Sequence, residues 1–486
     1  MESRYCRAGP VVSVVSLAVR HRPRVLWFAF VAAALACSRP PPAPVAAPAA
    51  TPAAPSAEQA ALYALPLVIM DLTREAFFAS PMAADATTNR FLHIPILANP
   101  AFRGVIRPNV DTLYSTAWLD LSREPVLLGV PASDGRYYLV QCMDAWTNVF
   151  AAPGVRTLGN RAARYVLVGP DWHGPVPAGA EVIRAPTPMV WVLGRIYVRD
   201  TADLAAARAF QRQIDLRPVS RAGDAAFTAA APRLAPANRR IMRDVLRELG
   251  AAAFFDRFAS LAAANPASPP DPAFARDVLG PLGLSPGAPL PWHDRPEPDR
   301  QALSGALDHV LGALDNQVQR RATQQTGWSD MSGAATQGNY GTGYAVRAAV
   351  AMIGLGANLA ADAVYLNTRS DGHHQPLDGG KHYRLRFAAG QAPPVRAFWS
   401  ITLYDDQGYL IANPAERYAI KSGDDLAREP DGTLVIYLQP DDPGPAHRAS
   451  WLPTPDAKPF ELTLRAYWPG EPMLDGRWQP PAVTAE

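Results

Sequence analysis

Between residues 90 and 198 the chain alternates short apolar or aromatic runs with turn-forming residues. The runs cover residues 113–121, 126–130, 136–143, 165–168 and 190–198, punctuated by Pro131, Gly135, Gly154, Gly159, Gly169-Pro170 and Gly174-Pro175. Runs this short predict strands, and the spacing of the breakers fits a sandwich or jelly roll rather than strand–helix–strand units. Residues 201–215, 238–264 and 299–321 instead carry Leu, Ala, Phe and Ile at helical spacing with charged opposite faces, which predicts packed helices. Residues 58–78 are helical in pattern too, with Pro66 expected to interrupt them. Strand signals return from His382 onward, over residues 383–387, 395–404, 434–438 and 460–468. The pattern predicts a chain that is mainly β with helices: two antiparallel β-sandwich or jelly-roll-like domains joined by a helical segment. The expected boundaries are an N-terminal β domain over residues 58–200, a helical linking region over 201–365 and a C-terminal β-sandwich domain over 366–486.

The segment ahead of these domains has another texture. Arg20, Arg22 and Arg24 precede an apolar run over residues 25–36, which suits a secretory signal and falls short of the ~20 residues a bilayer-spanning helix needs. It ends in Ala34-Leu35-Ala36-Cys37, which resembles the site where a signal peptidase leaves a lipidated cysteine. Residues 1–36 are therefore expected to be a signal peptide, Cys37 to carry lipid, and residues 37–57, almost wholly Pro, Ala, Ser and Thr, to form an extended tether. Ordinary cleavage and an uncleaved anchor are the alternatives. Ser38 after the cysteine fits onward sorting, so the expected location is the cell envelope, as an outer-membrane lipoprotein or a periplasmic protein.

Composition sharpens this in two respects. The full chain carries a net +2, but cleavage before Cys37 removes five arginines and Glu2, which turns the balance to −2. A near-neutral chain with no Lys/Arg run argues against nucleic acid as a partner. The same cleavage removes Cys6, which leaves Cys142 as the one unmodified thiol, expected to be buried in an apolar strand.

Several stretches then match a known pair of families. Arg107-Pro108-Asn109-Val110-Asp111-Thr112-Leu113-Tyr114-Ser115, then Gln141, Asp144-Ala145-Trp146-Thr147-Asn148, Pro186-Thr187, Trp191 and Arg195 resemble the bacterial domain of unknown function DUF1254. Leu377-Asp378-Gly379, Pro393-Pro394-Val395, Phe398-Trp399-Ser400-Ile401-Thr402-Leu403-Tyr404-Asp405, Asn413-Pro414, Arg417-Tyr418, Trp451-Leu452-Pro453 and the closing Leu474-Asp475-Gly476-Arg477-Trp478-Gln479-Pro480-Pro481 resemble its companion, DUF1214. Pro188 and Cys142 depart from the first pattern. The resemblance implies β-sandwich or jelly-roll domains and association with the cell envelope, and it implies no reaction.

Candidate chemistry falls in three places. On the strand over residues 109–121, Thr112, Tyr114, Thr116 and Trp118 share one face and Asp111, Leu113, Ser115 and Ala117 the other. Neither face is plainly apolar, so the strand is either an internal hydrogen-bonded corner or a cleft wall. Asp144, Trp146 and Asn148 repeat the idea, and an indole beside acceptors and donors suits a sugar or other polyol as well as ordinary architecture. Asp111 and Asp144 become catalytic candidates, a general acid and base, if they face one another across a cleft. Residues 344–365 read as one apolar helix on which Arg347, Asn358, Asp362 and Tyr365 fall within about 60° of one another, either an internal network or the polar floor of a ligand site.

Asp371, His373, His374, Asp378 and His382 form the one histidine cluster, expected to be a surface loop rather than a metal site. The glycine-rich Gly338-Asn339-Tyr340-Gly341-Thr342-Gly343 lacks the strand and lysine of a phosphate cradle, and no cofactor is expected. The leading expectation is an envelope lipoprotein, anchored to a membrane through its N-terminal lipid, that binds a small polar or carbohydrate-like ligand. The ligand set would be Tyr114, Trp146, Asn148, Arg347, Asn358, Asp362 and Tyr365. The alternatives are a hydrolase or lyase using Asp111 and Asp144, and a non-catalytic assembly module; homo-oligomerisation stays open.

Overall fold

The structure, a computed structural model, describes residues 54–233, 240–320, 326–329 and 336–486. The expected signal peptide, Cys37 and the tether up to residue 53 lie outside those residues. The last four tether positions already belong to helix α1 (Ala54–Ala79). Pro66 lies inside α1 without interrupting it, contrary to the expectation from sequence. One missing backbone hydrogen bond is outweighed there by the burial of Ala57, Ala60, Ala61, Ala64, Leu65, Leu67 and Val68. No helix among the described residues is long and apolar enough to cross a membrane.

The first sandwich is built from β1 (Leu92–Ile94), β2 (Thr112–Asp120), β3 (Val126–Val130), β4 (Tyr138–Asp144), β5 (Val149–Ala151), β6 (Ala163–Val168), β7 (Glu181–Arg184), β8 (Met189–Tyr197) and β9 (Asp215–Pro218). Two short helices, α2 (Val155–Leu158) and α3 (Leu204–Gln211), interleave with them. One sheet runs β1-β2-β8-β4-β5 and the facing one β7-β6-β3-β9. Then come α4 (Met242–Ala264), α5 (Pro272–Phe274), α6 (Glu297–Arg320) and α7 (Tyr344–Ile353), which pack with α1 around a core that includes Phe254, Phe255, Phe258 and Leu311.

The second sandwich comprises β10 (Ala363–Thr368), β11 (Tyr383–Phe387), β12 (Val395–Asp405), β13 (Ala419–Lys421), β14 (Leu434–Gln439), β15 (Trp451–Pro453), β16 (Phe460–Pro469) and β17 (Val483–Ala485). Its sheets run β10-β16-β12-β13 and β15-β14-β11-β17. The protein is thus mainly β with helices, in two sandwiches with a helical segment between them. The β6–β7 and β14–β15 pairs are parallel, so two of the sheets are mixed rather than purely antiparallel.

Strand alternation explains how the sandwiches meet. Leu113, Ala117 and Leu119 of β2, Val190, Val192 and Ile196 of β8, and Tyr138, Val140 and Cys142 of β4 point into the first core. The other face of the same strands carries Tyr114, Trp191, Leu193, Tyr197, Tyr137, Leu139 and Met143, and it packs against Ala363, Tyr365, Phe398 and Tyr467 of the second sandwich. Both faces of β2 are covered, which is why neither reads as plainly solvent-facing. Phe398 is held between the rings of Tyr197, 3.8 Å away, and Tyr467, 4.1 Å away.

The expected long helix over residues 344–365 does not form. Helix α7 ends at Ile353, where Gly354 adopts φ −147 and ψ 36, and Gly356 has φ 85. The chain then crosses the junction as turns before β10. Glycine is needed at position 356, since a Cβ there would lie 3.3 Å from Leu193 and 3.4 Å from Trp191 in a backbone conformation other residues resist.

Candidate functional site

The sequence-predicted residues fall into two separate groups. Asp144 closes β4 at a tight corner: its Oδ1 accepts from the Trp146 N–H at 2.9 Å and the Asn148 N–H at 2.8 Å, and its Oδ2 accepts from the Asn148 side-chain amide at 2.8 Å. The carboxyl is fully buried, and that burial pushes its pKa up to about 6 against the pull of these donors and Arg347. Trp146 leaves the corner for the helical core, its indole N–H donating to the Asn265 carbonyl at 2.9 Å and its ring lying 4.9 Å from Tyr63. Arg347 reaches the same corner from α7, donating to the Gly341 carbonyl at 2.9 Å and more distantly, at 3.4 Å, to Asn148 Oδ1. Desolvation holds its guanidinium below the usual arginine range. The glycine-rich segment therefore offers Arg347 a carbonyl, and Gly338 offers another to the Val149 N–H.

The second group lies between the sandwiches. Asp111 is fully buried just ahead of β2, where its Oδ2 accepts from Ser400 Oγ at 2.6 Å and from the Tyr467 hydroxyl at 3.4 Å, while its Oδ1 has no hydrogen-bond partner. The Asn109 side-chain amide donates to that Tyr467 hydroxyl at 2.7 Å. Burial and then the Asp111 carboxylate push the Tyr467 hydroxyl well above its ordinary range. Arg195 of β8 is 5% exposed and donates to Gln141 Oε1 at 2.6 Å and to the Gly356 carbonyl at 2.7 Å, with its Nε unpaired. Its guanidinium lies 5.5 Å from the Tyr114 ring. Asn358 accepts from the Tyr365 hydroxyl at 2.8 Å, and its side-chain N–H₂ has no partner. Burial pushes the Tyr365 hydroxyl up to about 12. Both Tyr114 and Tyr365 keep some accessible surface here. Asp362 is used otherwise, clamped by Arg156 at 2.5 and 2.9 Å.

The two groups do not share a site. Asp111 pairs with Val198 and Asp144 with Val190 across β8, eight residues apart, which at ~3.3 Å per residue puts the carboxylates roughly 25 Å from one another. A carboxylate pair acting on one bond sits about 5–10 Å apart. Asp111 and Asp144 are therefore not an acid/base pair, because they occupy opposite ends of the sheet. Nor do Arg347, Asn358, Asp362 and Tyr365 form a stripe on one helix: the break at Gly354 and Gly356 sends Arg347 to the corner and the others to the junction. The structure does bring Tyr114, Asn358 and Tyr365 together.

Sequence reasoning did not single out Arg195, Gln141, Ser400 or Tyr467 as a group. The signal was there in alternation: Leu193, Arg195 and Tyr197, like Thr463, Arg465 and Tyr467, place one arginine on the alternate face of runs that are otherwise strand core. Asp371 accepts the backbone N–H groups of His373 and Gln375 at 2.9 Å each and so organises a turn. Among the described residues no set of three or more His, Cys, Asp or Glu is placed to hold a metal ion. Cys142 is buried, and its thiol is pushed up to about 12 by burial.

Two family models match the chain, one of DUF1254, a protein family of unknown function, over residues 88–218, and one of DUF1214, also of unknown function, over residues 362–471. No curated protein matches it. A crystal structure of a Vibrio parahaemolyticus protein is similar, with a TM-score of 0.66 and 23% identity over 89% of this chain and 99% of that one. A Burkholderia cenocepacia protein aligns with a TM-score of 0.44 and 12% identity over 89% of this chain and 93% of that one. The likeness to the first is one of fold.

Proposed function

We propose that this chain, which joins a DUF1254 region to a DUF1214 region, is an envelope lipoprotein that binds a small polar ligand where its two sandwiches meet. The observation that carries the reading is the set of unpaired polar atoms around Tyr114 and Tyr365: Arg195 Nε, Asn358 Nδ2 and Asp111 Oδ1. Buried polar atoms are rarely left without partners, and three at one junction suit a guest that offers both acceptors and a donor, such as a polyol or a carbohydrate. The partly buried Tyr114 and Tyr365 rings supply apolar faces for it. The run over residues 25–36, the Cys37 context and the Pro/Ala-rich segment support export and a lipid anchor.

Two experiments test the halves of this reading. Thermal-shift screening of the purified protein against glycans, peptidoglycan fragments and small acids should yield a stabilising compound whose effect is lost in Arg195→Met and Asn358→Leu. A hit that stabilises both folded variants as well as the wild type sinks the junction site. Labelled palmitate should enter the wild type and not Cys37→Ser; equal labelling removes the anchor.

A further inference from the structure

A cavity of about 330 Å³ opens at the edge of the first sandwich, between β1 and β9, on the opposite face of the sheet from the junction. His93, Arg212, Asp215, Arg217 and Thr228 supply its polar wall. His93 is 8% exposed, and its Nε2 has no hydrogen-bond partner.

The neighbours of His93 determine which ring nitrogen is already paired and which is left for the cavity. The Gln211 side-chain N–H₂ donates to the Tyr114 carbonyl at 2.8 Å and the Ile94 carbonyl at 3.3 Å, so the amide orientation is set by two acceptors. The same nitrogen approaches Ser115 Oγ at 3.4 Å as a donor. The Ser115 hydroxyl, 2.8 Å from His93 Nδ1, is that nitrogen's hydrogen-bond partner. Nε2 is therefore the ring nitrogen left for a guest, and it is a donor in the tautomer that carries its hydrogen there. Desolvation brings the imidazole down to about 4, against the opposing pull of the Ile214 carbonyl and Asp215, so the ring is neutral at neutral pH.

The charged groups around it are unequally occupied. Both Asp215 oxygens accept from Arg217, each at 2.7 Å, and Arg217 spends its remaining arm on the Asp224 carbonyl at 2.8 Å. The Asp215 charge is thereby neutralised within the cavity wall. Arg90 is engaged with the Thr228 carbonyl at 2.6 Å. Arg212 is exposed and has no side-chain hydrogen bond or ion pair among the described residues. His93 Nε2, the Arg212 guanidinium and the Thr228 hydroxyl bring polar groups and positive charge to the cavity, and the Asp215 carboxylate in its wall is already paired with Arg217.

We propose that this cavity binds a small oxyanion of the carboxylate or phosphate class, one oxygen accepting from His93 Nε2–H and the charge facing Arg212. Calorimetric titration of the full-length protein with inorganic phosphate and, separately, with acetate, at constant ionic strength, tests it and tells the two sources apart. Saturable binding of at least one anion is expected, weakened about tenfold or more in Arg212→Ala and in His93→Phe. Arg276→Ala, which removes another exposed arginine elsewhere, should bind like the wild type. Failure of both anions to saturate the wild type overturns the proposal, as does unchanged binding in Arg212→Ala or an equal loss in Arg276→Ala. Should His93→Phe not fold, the exposed Arg212→Ala decides the matter.

Discussion

Replacing Asp144 by Asn should change how stability depends on pH. The Asp144 carboxyl has a folded-state pKa of about 6, raised from 3.8 by burial. The folded chain thus holds this proton more tightly than the unfolded chain does. Stability from this group is fully present below pH 3.8 and is lost as pH rises through about 6. At about 1.36 kcal/mol per tenfold, the change from 3.8 to about 6 is worth about 3 kcal/mol in full, most of it between pH 4 and pH 7. Because Asp144 is fully buried, solvent screening does not reduce the figure. Asp144→Asn removes the titration while keeping an oxygen for the Trp146 and Asn148 N–H groups. It sets an amide against the Asn148 N–H₂, a cost of about 1–3 kcal/mol that does not vary with pH. Urea unfolding of both proteins at pH 4, 5, 6 and 7 isolates the term, since every other group cancels in the difference. Wild-type stability relative to the variant should fall steadily across that range; a flat difference would refute the claim that burial outweighs the three donors.

Other outcomes follow from the same packing. Arg156→Ala leaves Asp362, 2% exposed, as a buried charge without its clamp, and should cost about 3–5 kcal/mol in urea unfolding, with a smaller loss in Arg156→Lys. Cys142 should resist alkylation in the native protein at pH 8 and react once the chain is unfolded, as read by mass spectrometry of its peptide, because burial pushes its thiol up to about 12.

The short apolar and aromatic runs over residues 113–121, 136–143, 190–198 and 460–468 all became strands, since run length and flanking breakers report local backbone preference and need no distant partner. Helices over residues 242–264 and 297–320 were visible for the same reason. The reading of residues 344–365 failed because apolar periodicity carries across a glycine break: nothing local shows that Gly354 and Gly356 fold the chain against Trp191 and Leu193. Pro66 failed in the opposite sense, since a strong local breaker was overruled by the burial of its helix.

The candidate residues show the same division. Tyr114, Asn358 and Tyr365 could be named as polar positions in apolar surroundings, but which of them meet depends on two sheet faces pressed together. That contact joins residues as distant in sequence as Asp111 and Ser400. What the chain's local order decides is where strands and helices form and which side chains share a face, because those follow from a few neighbouring dihedrals. What tertiary packing decides is whether a face meets solvent, a core or another sheet. Two carboxylates on sister strands ended at opposite ends of one sheet, and an arginine became the centre of a junction, because hydrogen bonding and burial are satisfied by whatever the fold brings near.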